Sequence, residues 1–260
     1  MAAKRGYQKL VKEHYRKEAK EQGISLSATM HDATTRRLEI QTLLSYLKAG
    51  DKALEIGCGN GAASVEIGRA KKLSMMCVDF SPDLISIAKK QSTKGIKGSI
   101  SFREQDVLQL AEKPTYDVVF TERCIINLLD WNDQKEALLK MIAALKRGGK
   151  LLLLEAYQDG LRDLNRARTE AGLAENPPAY HNLLLDKEKV RIHLEENGMK
   201  FSEENNFLSS YYFGSRVLYP ALAKLAKKDI VYNNAFGQYF ATLPPAGNFS
   251  HIKLLVFTRK

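Results

Sequence analysis

The chain has 260 residues, with 40 lysines and arginines against 30 acidic residues and a formal charge of +10. That length holds one substantial core, so a single domain over residues 1–260 is expected, and no apolar run is long enough to span a membrane. Residues 1–5 carry charge with no apolar segment behind them, unlike a secretion signal, and the cysteines Cys58, Cys77 and Cys124 fit neither a disulfide framework nor a metal site, which points to a reducing, cytoplasmic setting.

In chain order, residues 7–21 have helical spacing, with Tyr7, Leu10, Val11 and Tyr15 on one side and Gly23 as a stop. Asp32 is placed to cap a second helix that turns Leu38, Ile40, Leu43, Leu44 and Leu47 inward and ends at Gly50. Residues 1–49 thus read as an N-terminal helical lid. Next, an apolar run reaches Glu55 and then Gly57, Gly59 and Gly61 before the helix-compatible residues 62–67. This is how a buried parallel strand turns tightly into a helix while a ligand approaches the backbone.

A second apolar run ends at Asp79, where an acidic side chain can hydrogen-bond both hydroxyls of a ribose. Phe80 follows, then Ser81 and Pro82, a capping serine and a first-turn proline. A third strand at 99–102 leads to Asp106 and Val107, placed to meet an adenine amino group and ring nitrogen. The fourth, 116–120, runs into Thr121, Glu122, Arg123 and Cys124; the fifth covers 150–155. Residues 157–199 and 208–250 are insertions, each next to a strand expected at the sheet edge, 201–207 and 251–259.

The ordered series EIGCGNG, CVDF, EQDV and YDVVF followed by LKRGGKLLLLE resembles the class I S-adenosylmethionine-dependent methyltransferases over residues 50–158. The resemblance implies an α/β fold, a doubly wound seven-stranded, mostly parallel sheet, with S-adenosyl-L-methionine as cofactor. It implies that Gly57, Gly59 and Gly61 approach the methionine portion, that Glu55 buttresses the turn or receives the ammonium, and that Asp79 takes the ribose. Phe80, Asp106 and Val107 would meet the adenine, Thr121 would lie on the cofactor side, and Arg36, or its neighbour Arg37, would pair with the donor carboxylate. A nicotinamide-binding fold is the competing reading of the glycine turn; Ala62 at its third glycine position is compatible with it. Glu55 in a normally apolar strand position and the lack of a hydride-site pattern weigh against it.

On the acceptor side the candidates are His31, Glu122, Arg123, Arg168, Tyr180, His181, Tyr211, Tyr212 and Arg216. His181, beside Tyr180 in the first insertion, is the candidate base because an imidazole titrates near neutrality. Arg123, Arg168 and Arg216 suit an anionic acceptor. Asn176-Pro177-Pro178 is similar to the motif of amino methyltransferases, but it lies beyond the fifth strand and reads as a loop break. The segments around Glu122 and Tyr180 resemble methyltransferases of bacterial polysaccharide and phosphonate pathways. The expectation is O-methylation of a small polar or anionic substrate. The alternatives are an RNA methyltransferase using the basic surface and a non-catalytic S-adenosylmethionine-binding protein. Acidic residues mixed into the lysine-rich stretch 4–20 favour a solvated surface over a nucleic-acid partner.

Overall fold

A computed structural model describes Glu13, residues 32–231 and residues 233–260. The helix expected over 7–21 and the candidate His31 lie outside these residues. The described chain runs α1 (Ala33–Tyr46), β1 (Lys52–Ile56), α2 (Ala62–Ala70), β2 (Ser74–Asp79), α3 (Pro82–Ala88), β3 (Ser99–Glu104), β4 (Tyr116–Glu122), α4 (Trp131–Ala144) and β5 (Leu145–Ala156). It continues through α5 (Gln158–Glu170), α6 (Lys187–Glu196), β6 (Met199–Asn205), α7 (Ser209–Phe213), a π-helical turn (Gly214–Leu218), α8 (Tyr219–Leu225), α9 (Ala235–Phe240) and β7 (Ile252–Arg259). The strands form one seven-stranded sheet in the order β3-β2-β1-β4-β5-β7-β6. β7 runs antiparallel to β5 and β6, and the other pairings are parallel.

The central strands are continuous apolar runs because helices cover both faces of the sheet: Leu54, Val119, Phe120 and residues 151–154 are fully buried. Chain order reverses between β1 and β4, which opens a crevice at their carboxyl ends. There Ile56 pairs with Val78 on one side and Thr121 on the other.

Two strands start more than one residue earlier than the sequence expectation. β6 starts at Met199, directly after the left-handed Gly198, because the buried Met199 and not Phe201 is its first anchoring residue. The ladder of β5 begins at Leu145, opposite Tyr116, with an irregularity before Val118 and a left-handed Gly148 absorbing the extra residues.

The insertions are tied down by polar contacts. Pro220 lacks an N–H and cannot bond the Arg216 carbonyl four residues earlier, and the helix takes its π turn just before it. That released carbonyl accepts from Arg168 of α5, so the two insertions are joined. At the base of the insertions Lys253 is fully buried and donates to Asp159 (2.8 Å), Glu204 (2.9 Å) and Asn248 (2.6 Å). Among the described residues no helix is long and apolar enough to cross a membrane.

Candidate functional site

The crevice begins at the glycine turn. Gly57, Gly59 and Gly61 have φ of +81°, +54° and +75°. A side chain at Gly57 would also meet Cys124 at 2.6 Å, and one at Gly61 would meet the Phe102 ring at 2.7 Å. Glycine here therefore serves both conformation and packing. The Gly57 and Cys58 amides bond the Val78 carbonyl (2.8 and 3.0 Å), while the Gly59 amide donates to Asp79 Oδ2 (2.9 Å) and the Ser81 amide to Oδ1 (2.9 Å). Asp79 thus clamps the turn to β2. Burial lifts its carboxyl to about 6, although both amides pull it down. Each carboxylate oxygen has accepted one amide and retains acceptor capacity.

Asp106 caps the single turn at Val107–Gln109, its Oδ1 accepting from the Leu108 amide at 2.9 Å, and Val107 is buried beneath it. Phe80 is half-buried at the tip of β2. Thr121 is fully buried, with its hydroxyl beside Glu155. Adjacent strand residues point to opposite faces, so Glu122 and not Thr121 is the β4 side chain that acts on Glu55.

Across the crevice, α1 turns polar residues inward: Thr35, Arg36 and Glu39 are buried in its first half. Arg36 donates to Glu122 and lies 3.4 Å from Glu39, while Arg123 Nε donates to Glu39 at 2.8 Å. Arg36 is therefore an ion-pair partner of two carboxylates in this structure. Glu55 Oε2 and Glu122 Oε1 are buried with no hydrogen-bond partner among the described residues. Burial first, and then the other's proximity, raises the Glu55 carboxyl. Burial likewise raises Glu122. Two such carboxylates suit a cationic ligand group.

The acceptor side is assembled from distant segments. Glu155 at the end of β5 accepts from the Cys124, Ile125 and Ile126 amides (3.0, 3.0 and 3.4 Å), shaping the loop after β4. Burial nevertheless pushes its carboxyl to about 7. Arg123 sits in that loop in a left-handed conformation, φ +55°. Asp32 both caps α1 through the Thr35 amide (3.0 Å) and accepts from Tyr211 Oη (2.9 Å) and Arg216. The Arg216 guanidinium lies over the Tyr211 and Tyr212 rings. His251, which precedes β7, packs on Tyr212 with ring centroids 5.5 Å apart. Burial and then the guanidinium groups of Arg216 and Arg123 hold its imidazole down to about 4.

Other sequence candidates are placed differently. Arg168 donates to the Ala174 carbonyl (2.8 Å) and to the Arg216 carbonyl, a brace between the two insertions. Tyr180 is 72% exposed on its loop, with its ring centroid 5.0 Å from that of His181. His181 is half-buried on that loop, which reaches the carboxyl end of β4 where the Leu183 amide bonds the Ile126 carbonyl (2.7 Å). Asn176 lies in a loop pinned by Asn165 (2.9 Å), as expected of a loop break. Sequence reading missed Glu39, Glu155 and His251, whose spacing carries no motif; a buried acid in the amphipathic pattern of α1 was the one available signal for Glu39.

Residues 53–149 match the family model described as "Methyltransferase domain". The chain carries an S-adenosylmethionine-dependent methyltransferase domain. The 27-O-demethylrifamycin SV methyltransferase of Amycolatopsis mediterranei is 28% identical over 49% of this chain and 46% of its own length. Phosphoethanolamine N-methyltransferase 3 of Arabidopsis thaliana is 31% identical over 42% of this chain and 22% of its own length. The chain thus spans half or less of these curated relatives. Among solved structures, N-methyltransferase NodS from Bradyrhizobium japonicum, in complex with S-adenosyl-L-homocysteine, aligns with TM-score 0.56 at 17% identity over 96% of this chain and 98% of that one. Magnesium protoporphyrin IX methyltransferase from Synechocystis with bound S-adenosyl-L-homocysteine gives 0.54 at 16% identity, covering 87% of this chain and 86% of that one. The [4+2]-cyclase SpnF gives 0.57 at 14%, covering 86% and 81%. These likenesses show the methyltransferase fold, with its seven-stranded sheet.

Proposed function

We propose that the chain methylates an oxygen of a small polar or anionic acceptor, such as a sugar, a sugar phosphate or a phosphonate. The observation that carries this reading is that Arg216 and His251 share the Tyr212 ring (5.2 and 5.5 Å), while the Arg123 amide and the His251 carbonyl are both tied to the end of β5, at Leu154 and Tyr157 (2.7 Å each). A roofed crevice with two guanidinium groups suits a compact anion or polar molecule. The names of the relatives add support, since one acts on phosphoethanolamine and another at an oxygen of a rifamycin.

For the cofactor, Asp79 would accept the ribose hydroxyls, Gly57, Gly59 and Gly61 would line the methionine portion, and Asp106 with Val107 would flank the adenine. Phe80 would pack on the adenine, and Glu55 with Glu122 would face the ligand's cationic groups, the carboxylate oxygens without partners among the described residues supporting that fit. S-adenosylmethionine supplies a methyl group activated as a sulfonium. The chain's own residues then align the acceptor oxygen and exclude water.

The test is transfer of label from S-adenosylmethionine to sugars, sugar phosphates, phosphonates and bulk RNA, with donor binding followed by calorimetry. Label in a small polar or anionic acceptor is expected. Label only in RNA would replace this reading with one in which the basic surface binds substrate, and donor binding without transfer to any acceptor would favour a non-catalytic role.

A further inference from the structure

His251 occupies an unusual place for a packing residue. Its carbonyl accepts from the Tyr157 amide at 2.7 Å, which fixes the backbone at the end of β5, and its ring lies on Tyr212. Its Nδ1 is sealed from solvent and has no hydrogen-bond partner among the described residues. Buried polar atoms are ordinarily paired, and a ring that only filled space would be cheaper as an apolar residue.

The elements around it carry many charges: Asp32, Arg36 and Glu39 on α1, Glu122 and Arg123 at the end of β4, Glu155 on β5, and Tyr211, Tyr212 and Arg216 on the 209–218 helix. Of these, the guanidinium groups of Arg216 and Arg123 are the ones that act on the ring. The four elements thus bring one neutral imidazole and two cations together.

We propose that His251 takes the proton in methyl transfer, and that the acceptor is a hydroxyl compound bearing a negative charge held by Arg123 and Arg216. This rests on the reading given above of a small-molecule O-methyltransferase. A guanidinium has five donors and serves a resident carboxylate and a visiting anion together. As the hydroxyl oxygen bonds to the methyl carbon, the carbon–sulfur bond breaks with its electron pair left on sulfur. The hydroxyl proton passes to the imidazole, and the imidazolium returns it to solvent after the product leaves.

The anion and the base are coupled. With no anion present, the two guanidinium groups and burial keep the imidazole a weak base. A bound anion offsets that field and lifts the ring towards the range in which base catalysis is efficient. A neutral analogue of the same shape leaves the base weak, so charge selects the acceptor through rate as well as affinity.

Two measurements test this. His251→Gln and His251→Ala are assayed with sugar phosphates and their neutral parent sugars, with donor affinity and melting temperature measured alongside. The expected result is a loss of kcat of about 100-fold on hydroxyl acceptors, partial rescue of His251→Ala by added imidazole, and donor affinity within about threefold of the parent chain, the scatter ordinary for a change that spares the donor's contacts. A kcat within about threefold, or equal loss of kcat and donor affinity, would overturn the assignment. Independently of any turnover, NMR titration of the His251 ring with S-adenosylhomocysteine bound is run with and without inorganic phosphate. An upward shift of its midpoint with phosphate is expected, and an unmoved midpoint would overturn the coupling. Failure of the parent chain to bind S-adenosylmethionine at all would refute the methyltransferase reading itself and not the role of His251.

Discussion

The two halves of the crevice are built by different means. On the cofactor side, consecutive residues make the site: Gly57 to Gly61 and Asp79 to Ser81 are joined mostly by backbone amides and one carboxylate. On the acceptor side, side chains far apart in sequence meet one another, as when Asp32 bonds Tyr211 and Arg216 or Glu39 bonds Arg123. A site made from backbone leaves a compact motif in the sequence, because glycine and one acid are required at fixed spacing. A site made from side chains leaves no such trace, because each residue depends on partners brought by the fold.

The sharpest way to separate the halves is to unlock the roof. Lys253→Ala leaves Asp159 and Glu204 with the partly exposed Lys187 as their cation (3.2 and 3.1 Å) and is expected to cost less than the roughly 3–5 kcal/mol of a buried carboxylate left with none. Donor affinity per folded molecule should be unchanged. Denaturant melts with calorimetry on the surviving fraction check this, and a parallel loss of donor affinity would mean that the halves are not independent.

The converse change is Asp79→Ala. Two charge-assisted hydrogen bonds of roughly 1.5–3 kcal/mol each give a loss of donor affinity on the order of 100-fold or more. Unchanged binding by calorimetry would remove the ribose assignment. Removing the carboxylate also leaves the buried Gly59 and Ser81 amides without their acceptor, so the ligand-free fold should lose about 1–3 kcal/mol for each amide that water cannot reach.

Acidity gives a third comparison. Asp79 rises from 3.8 to about 6 and Glu155 from 4.5 to about 7 in the folded chain. The folded state therefore binds more protons than the unfolded state over that interval, and stability falls as pH rises through it. Asp159, held down to about 2 by Lys253 despite its burial, acts in the opposite sense only in stronger acid. His251, lowered from 6.5 to about 4 by burial and the guanidinium groups, opposes the decline only below about pH 6.5. Scanning calorimetry from pH 5 to 8 should show a declining melting temperature for the ligand-free chain. Bound S-adenosylmethionine should offset that decline, because its cation and hydroxyls favour ionised carboxylates. A melting temperature that rises over this range without ligand would contradict the burial argument.

The smallest effect is expected at Asp106. Asp106→Ala loses an N-cap, about 1 kcal/mol, and donor affinity should fall only about tenfold if the carboxylate also meets the adenine. Loss of stability with no change in affinity would leave Asp106 as a cap alone.

The same contrast explains what was legible in the sequence. The sheet, the glycine turn, Asp79 at the tip of β2 and the Asp32 cap follow from local patterns and are found where expected. The insertions were visible as departures from the minimal fold, and so were the two helices of the first, expected over 158–172 and 186–197 and found at Gln158–Glu170 and Lys187–Glu196. The π turn before Pro220 and the Arg168 brace were not, because they depend on tertiary contact. For Tyr180 and Arg168 the sequence supplies chemical type and position in the first insertion, and neither property fixes where a side chain points. His251 was read only as the start of a strand, since nothing near it in sequence announces Arg216, Arg123 or Tyr212.

The brace from Arg168 to the Arg216 carbonyl has a practical consequence for redesign. Acceptor preference in this fold would be exchanged by grafting, and here neither insertion can be grafted alone: replacing residues 208–250 strands Arg168, and replacing 157–199 leaves the carbonyl freed by Pro220 unmet. The two segments form one cassette, interrupted in sequence by β6 and continuous in space.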